Sequence, residues 1–230
     1  MADFKKIIGF TLKAEGGYSS DPRDSASSFP STFINPATKF KGLPVHTNMG
    51  VTYRTWVNYA KLKGFTPTGT NFAKMTDAQW YDLAYRLFWI PSMGDVIKSQ
   101  SIAEWIFEAK WGGGADHMVR GLQTYLNSKG VKPQLKVDGA IGTKTAEAIN
   151  KYVGTNKTRE SEIITYLKDR RFAYLKSLRD WSNFGNGWTD RVTKLYARTI
   201  DNLGDVAVAG GIGLGTFLIA GAIYYIFKKG

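Results

Sequence analysis

Cysteine is absent from the 230 residues, which excludes a disulfide scaffold, a cysteine nucleophile and a thiolate zinc site. Histidine is scarce: His46 and His117 stand too far apart in sequence to form a local metal-ligand pair. Strand patterns are few and internal repeats are missing. No export signal opens the chain, because the apolar stretch 7–12 is short and closes on Lys13. Acidic residues are outnumbered, with 19 Asp plus Glu against 31 Lys plus Arg and a formal net charge of +12. Such an excess suits an anionic partner: nucleic acid, lipid headgroups or a bacterial cell wall. The charge is spread along the chain with no nucleic-acid motif beside it, which argues against nucleic acid. At 43% hydrophobic and 14% aromatic residues the chain is not disordered.

One long apolar run is present. It opens at Val206, closes at Phe227 and carries no charge, with Asp205 before it and Lys228 and Lys229 after it. As a helix it would be about 33 Å long, enough to cross a bilayer core. The expectation is a single C-terminal membrane anchor in contact with lipid. It would sit in a phage virion membrane or, as the alternative, in the host inner membrane. Gly211 and Gly215 form a small-xxx-small spacing that would let two such helices associate.

Ahead of this run the periodicity is helical. Asp3 caps a helix with Phe4, Ile7, Ile8, Thr11 and Leu12 on one face, and Gly16-Gly17 stops it, leaving Glu15 at the last turn. Residues 19–49 are rich in Ser, Pro, Asn and Gly and read as a loop with a short hairpin, long enough to be functional. Thr52 caps a helix ending at Gly64, and Thr76 with Gln79 forms a capping box opening a helix to about Phe88. A second capping box, Ser101 with Glu104, opens the next helix. Others are expected over 116–128, from Thr143 to Tyr152, over 158–178 and over 188–203. Trp56, Trp80, Trp105 and Trp188 have the spacing of core residues.

Among the polar residues, Glu15 beside a helix stop faces a loop that carries Asp21 and Asp24. A carboxylate held by a rigid helix end and a second one in a loop make a workable acid–base pair. Asp21 before Pro22 reads as a turn residue. The segment Ala14-Glu15-Gly16-Gly17-Tyr18-Ser19-Ser20-Asp21-Pro22-Arg23-Asp24 resembles the opening motif of glycoside hydrolase family 108, the phage and bacterial N-acetylmuramidases. Thr47-Asn48-Met49-Gly50-Val51-Thr52 resembles that family's Thr before a Gly-hydrophobic-Thr signature. Met75-Thr76, Tyr85-Arg86, Phe88-Trp89 and Gly94-Asp95 resemble its central helix and aromatic end. Leu122-Gln123, with Val137-Asp138-Gly139-Ala140-Ile141-Gly142-Thr143-Lys144-Thr145, is similar to the companion peptidoglycan-binding module. Arg170-Arg171-Phe172, Phe184, Gly187-Trp188 and Arg191 complete that module's pattern. Two departures stand out: the interval 25–46 is expanded and lacks the usual Gly-Gly pair, and Glu108 and Trp111 replace the usual Asp and Asn.

The resemblance implies a mainly α, lysozyme-like helical domain with a small loop and β-hairpin region, to which the C-terminal transmembrane helix is appended. It implies a catalytic region at 1–110 and a helical peptidoglycan-binding module at 111–204, and the apolar run adds the expected anchor at 205–230. The expected activity is hydrolysis of the β-1,4 bond between N-acetylmuramic acid and N-acetylglucosamine in glycan strands, by a phage lytic enzyme that opens the wall during infection or lysis. Glu15 is the expected general acid, Asp24 the group that activates water and Thr47 the hydroxyl that holds it. That set also resembles the inverting phage lysozymes, which keep their two carboxyl groups roughly 6.5–9.5 Å apart. Tyr18 either stacks on a sugar or packs the loop, and Asn48 is a further expected substrate contact. His46 beside Thr47 either touches substrate or is an exposed loop residue. No metal or organic cofactor is implied, since carboxylates suffice. The rival readings are a lytic transglycosylase using Glu15 alone and a wall-binding structural protein without activity.

Overall fold

The structure, a computed structural model, describes residues 1–37 and 39–204. It divides into two compact units, Asp3–Pro91 and a second one formed from Ser92 onward together with Met1–Ala2.

The first unit begins with α1 (Phe4–Ala14), whose first turn is capped by Asp3 accepting from the Lys5 amide. The helix ends with Glu15 at its C-cap, in an extended conformation. Three two-residue strands follow: β1 (Tyr18–Ser19), β2 (Thr47–Asn48) and β3 (Val51–Thr52). They form one antiparallel sheet in the order β1-β2-β3, with Ser19 opposite Thr47 and Asn48 opposite Val51. Thr52 then caps α2 (Tyr53–Lys63), and Gly64, at φ 75°, terminates it in the left-handed conformation that only glycine takes without strain. After α3 (Gly69–Ala73) comes α4 (Asp77–Ala84), opened by the Thr76–Gln79 capping box and continued by a wide π turn, Tyr85–Trp89. Phe4 of α1 packs its ring 4.9 Å from Tyr81, and Trp56, Phe72, Trp80, Leu83 and Trp89 are fully buried.

The second unit is all helix: α5 (Gln100–Trp111), α6 (Ala115–Ser128), α7 (Thr143–Val153), α8 (Lys157–Lys176) and α9 (Trp181–Asp201). Helix α5 is its centre, with every residue from Ser101 to Ala109 buried. Two of those are carboxylates. Glu104 is 0% exposed and accepts a two-pronged bond from Arg198 of α9, and Glu108 accepts from Arg191 one face-repeat earlier on α9. The capping role expected for Ser101 falls to Ser99, whose hydroxyl accepts from the Ile102 amide, while Ser101 is buried and donates to the Thr199 carbonyl. Gln123 is also buried. Its amide oxygen accepts from the Asp138 and Gly139 amides, and its amide nitrogen donates to Asp138 and to the Ala140 carbonyl. The 137–145 segment is thus a turn held from beneath, an architectural part of the unit.

The mainly helical class with a small sheet is found, but the membrane helix is not. Among the described residues no helix is long and apolar enough to cross a membrane. The two of sufficient length, α8 with 20 residues and α9 with 21, are charged along most of α8 and from Asp190 onward in α9. A central Lys, Arg or Asp costs about 2.5–3.5 kcal/mol in a bilayer. The expected span between Val206 and Phe227 lies outside the described residues. Over the described residues the fold class is therefore corrected to a mainly helical one, with no membrane-spanning helix among them. No described helix supports the membrane-anchored localisation, virion or host, or the lipid partner, and Gly211 and Gly215, through which two helices were expected to pair, also lie outside the described residues.

Candidate active site

Glu15, Asp24 and Thr47 all lie in the first unit, each half-buried. Glu15 sits where α1 stops and the chain turns into β1. Its carboxylate rests against the turn that joins β2 to β3: a Cβ placed on Gly50 would collide with Oε2, Cδ and Cγ of Glu15. That turn has positive φ at both central residues, 48° at Met49 and 73° at Gly50, as the tightest hairpin connections require. A methionine adopts this conformation reluctantly, so it must be held. The Trp80 indole donates to the Met49 carbonyl at 2.8 Å, and the Met49 amide donates to the Gly17 carbonyl. The acidic side chain and the turn beneath it are thus fixed from two sides.

Asp24 caps a short 3-10 turn, Ser25–Ser28, accepting from the Ala26 amide at 2.9 Å. Its own amide donates to the Asp21 carbonyl. Asp21 is buried and bound by Arg23 through both carboxylate oxygens, and this hydrogen-bonded guanidinium holds the Asp21 carboxyl down at about 2. The turn that presents Asp24 is therefore braced by an ion pair of its own.

Thr47, on β2, is tied to the same turn through His46. The His46 ring is 1% exposed, which removes it from any contact with substrate. Its Nε2 lies 3.1 Å from the Asp21 carbonyl and its Nδ1 lies 2.9 Å from the Thr47 hydroxyl. A carbonyl can only accept, so in the neutral ring Nε2 carries the proton and Nδ1 accepts from Thr47. One carbonyl, that of Asp21, thereby receives both the Asp24 amide and the His46 ring, and it links the Asp24 turn to the Thr47 strand.

The two remaining expected residues serve the sheet. The Tyr18 hydroxyl donates to the Ala73 carbonyl at 2.9 Å, and its half-buried ring lies 5.3 Å from Phe33. Asn48 is 3% exposed and its amide donates to the carbonyls of Phe72 and Ala73. Sequence reasoning missed the 49–50 turn and the bracing part of His46. Gly50 was the available signal for the first, whereas the second rests on a contact 25 residues away.

The expanded interval 25–46 folds as a clasped arm. Ser31 donates from both backbone and hydroxyl to the Val45 carbonyl, Val45 donates to Phe33, and the Asn35 and Leu43 backbones meet in the same ladder. The Asn35 amide, 1% exposed, reaches the Ser20 hydroxyl. Among the described residues no group of His, Asp and Glu is arranged to hold a metal ion.

Comparison with known proteins gives three results. Residues 8–114 match the family described as glycosyl hydrolase 108, and residues 117–193 match a predicted peptidoglycan domain. Among solved structures, the chain is similar to Brucella abortus SagA, at 26% identity and a TM-score of 0.63, over 88% of this chain and 96% of that one. No curated protein matches.

Proposed function

Because this chain belongs to the glycosyl hydrolase 108 family, and so is a glycoside hydrolase acting on peptidoglycan, we propose that it is an inverting N-acetylmuramidase with Glu15 as its general acid. The observation that carries the reading is the convergence on one hairpin: the turn at Gly50 seats the Glu15 carboxylate, and the strand before it presents Thr47. Glu15 protonates the glycosidic oxygen as it leaves. Asp24 takes a proton from the attacking water, whose oxygen bonds to the anomeric carbon from the opposite face. The Thr47 hydroxyl is spent as a donor on His46, so what it offers the water is a lone pair. A water that donates to Asp24 and to Thr47 keeps its own lone pair for the sugar. His46 is thus a positioning residue. The Tyr18 ring is the sugar contact in this reading, and Asn48 supports substrate binding by pinning β2.

Catalysis is assigned to residues 1–110 and wall binding to 111–204. A part in phage infection or lysis is supported by the resemblance of the Glu15 to Asp24 segment to phage enzymes. Finding the protein in purified particles would place it in infection.

The test is turnover of purified sacculi with product analysis. Glu15→Gln and Asp24→Asn are each expected to lower kcat by about 10³-fold. His46→Leu is expected to lower kcat about tenfold with KM unchanged, and His46→Asn, which restores an acceptor near the place of Nδ1, to recover most of it. Products are expected to carry reducing ends. Full activity in Glu15→Gln would remove the acid from the mechanism. Anhydro-sugar ends, with Asp24→Asn as active as the parent, would replace hydrolysis with lytic transglycosylation.

A further inference from the structure

The enlarged interval 25–46 opens with an aromatic residue that the catalytic reading leaves unused. Phe29 closes the short turn that Asp24 caps, its amide donating to the Ala26 carbonyl, and its ring is 40% exposed. That ring stacks on Tyr53 with centroids 5.9 Å apart, and the Arg54 guanidinium stands over it at 4.7 Å. Tyr53 and Arg54 are the first two residues of α2, so the contact joins the root of the arm to the helix that leaves the hairpin. Tyr53 is itself fastened: its amide donates to the His46 carbonyl at 2.8 Å and its ring meets Phe72 edge-on. Phe29 and Arg54 thus continue the two chain segments that carry Asp24 and Thr47. The turn sets Phe29 about 10 Å beyond Asp24. Arg54 follows Thr52, the residue opposite Thr47, by at most about 7 Å of chain.

Arg54 is not explained by the helix it belongs to. A cation in the first turn opposes the helix dipole, whereas Lys61 and Lys63 in the last turn complement it. The side chain is exposed, and among the described residues no carboxylate or other acceptor takes a hydrogen bond from its guanidinium. A phenyl ring holds the charge in place but has no lone pair to accept, so the five donors of the planar fork stay available to a ligand. Such a fork matches a carboxylate through two parallel bonds. Peptidoglycan offers that group close to the reacting bond. A muramidase cuts at C1 of N-acetylmuramic acid. The same ring carries at C3 the lactyl arm and its stem peptide, whose free carboxylates make the polymer anionic. A side chain beside the residues that hold the attacking water can therefore meet the peptide of that sugar.

We propose that Arg54, set in place by Phe29, is a specificity residue that binds a stem-peptide carboxylate of the wall glycan. The assignment rests on the muramidase reading of Glu15, Asp24 and Thr47 and adds a substrate preference to it. The test uses the full chain and two soluble, phosphate-free substrates. One is glycan strands bearing stem peptides with their amines acetylated, and the other is the same strands with every carboxylate converted to a neutral methylamide. The ratio of the two kcat/KM values reports the carboxylate, and the parent is expected to favour the free acid. In Arg54→Gln, with an unchanged melting temperature, that ratio is expected to fall about tenfold, through KM rather than kcat. Arg54→Lys, which keeps the charge without the fork, is expected to lie between the two. Phe29→Leu, which lets the guanidinium swing free, is expected to lose about threefold. A ratio in Arg54→Gln equal to the parent's overturns the proposal, even if both values drop. Product analysis separates this outcome from failure of the reading beneath it. Reducing ends with an unchanged ratio remove the Arg54 contact alone. Anhydro-sugar ends with a lowered ratio remove the inverting reaction and leave the contact standing.

Discussion

Gly50 shows how one missing methyl group makes room for a carboxylate. Two demands coincide there: a φ of 73°, which costs an ordinary residue about 1–2 kcal/mol, and contact with the Glu15 carboxylate where a Cβ would stand. Gly50→Ala is expected to lower the melting temperature by only a few degrees, as a cost of that size implies. Activity is expected to fall about 100-fold or more, because the added methyl group must displace Glu15. Calorimetry and turnover on the same preparation compare the two losses. If activity falls only in step with stability, Glu15 does not depend on this turn. Glu15, Asp24 and Thr47 could be singled out in the sequence by residue type and interval. The side-chain contacts that orient them could not. The bond from His46 to the Asp21 carbonyl and the one from Trp80 to the Met49 carbonyl join residues 25 and 31 positions apart, which no local pattern encodes.

Helix α5 is an element whose burial the sequence does not announce. It carries two carboxylates, yet it is buried from Ser101 to Ala109, and Glu104 and Glu108 are met by arginines seven positions apart on α9. Removing one partner of such a pair leaves an uncompensated charge at a cost of about 3–5 kcal/mol, whereas replacing both with apolar groups is often neutral. Arg198→Met is therefore expected to destabilise the protein by that amount in urea unfolding, and Glu104→Leu added to it to restore most of the loss. A single-variant cost under about 1 kcal/mol would mean that Glu104 finds water or another donor. The same contrast between local and distant causes explains the helix boundaries. Helices α1 and α2 began where Asp3 and Thr52 announced them, because a cap is a contact two or three residues long. Helix α9 begins at Trp181, well before the expected start, since the Gly- and Asn-rich turn 183–187 is stabilised by Gly185 lying flush against the Trp181 indole.

At the scale of the whole molecule, acid tolerance should differ from what the basic composition implies. In the first unit two carboxyls titrate below their ordinary range. Asp21 is held at about 2 by Arg23, and Asp82 is lowered because bonds from Arg86, Tyr59 and Lys63 outweigh the effect of its burial. A depressed carboxyl contributes its full stability above the unfolded value of about 4 and loses it as pH falls through the folded value. Unfolding free energy is thus expected to hold between pH 7 and 5 and to decline from pH 4 to 2. Asp21→Asn should be less stable at pH 7 and should show a shallower acid decline. The opposite limit comes from Tyr59, pushed up to about 12 by burial and by the Asp82 carboxylate, with stability lost as pH rises from 10 to 12. Denaturant titrations across pH, for the parent and Asp21→Asn, check both edges. An acid decline of equal slope in the two proteins would remove Asp21 from the account.

The clasped 25–46 arm carries an evolutionary consequence. Its two ends meet at a single acceptor, the Asp21 carbonyl, and its stem is zipped by the Ser31, Val45 and Phe33 backbones before the outer residues begin. The spacing between Asp24 and Thr47 is set at that junction, so the contour length of the arm is free to drift without moving either side chain. Lengthening such an excursion costs only about 0.6 kcal/mol per doubling. The arm is therefore the place in the first unit where lineages can gain or shed residues, and where a foreign peptide can be grafted, while the side chains next to it stay still.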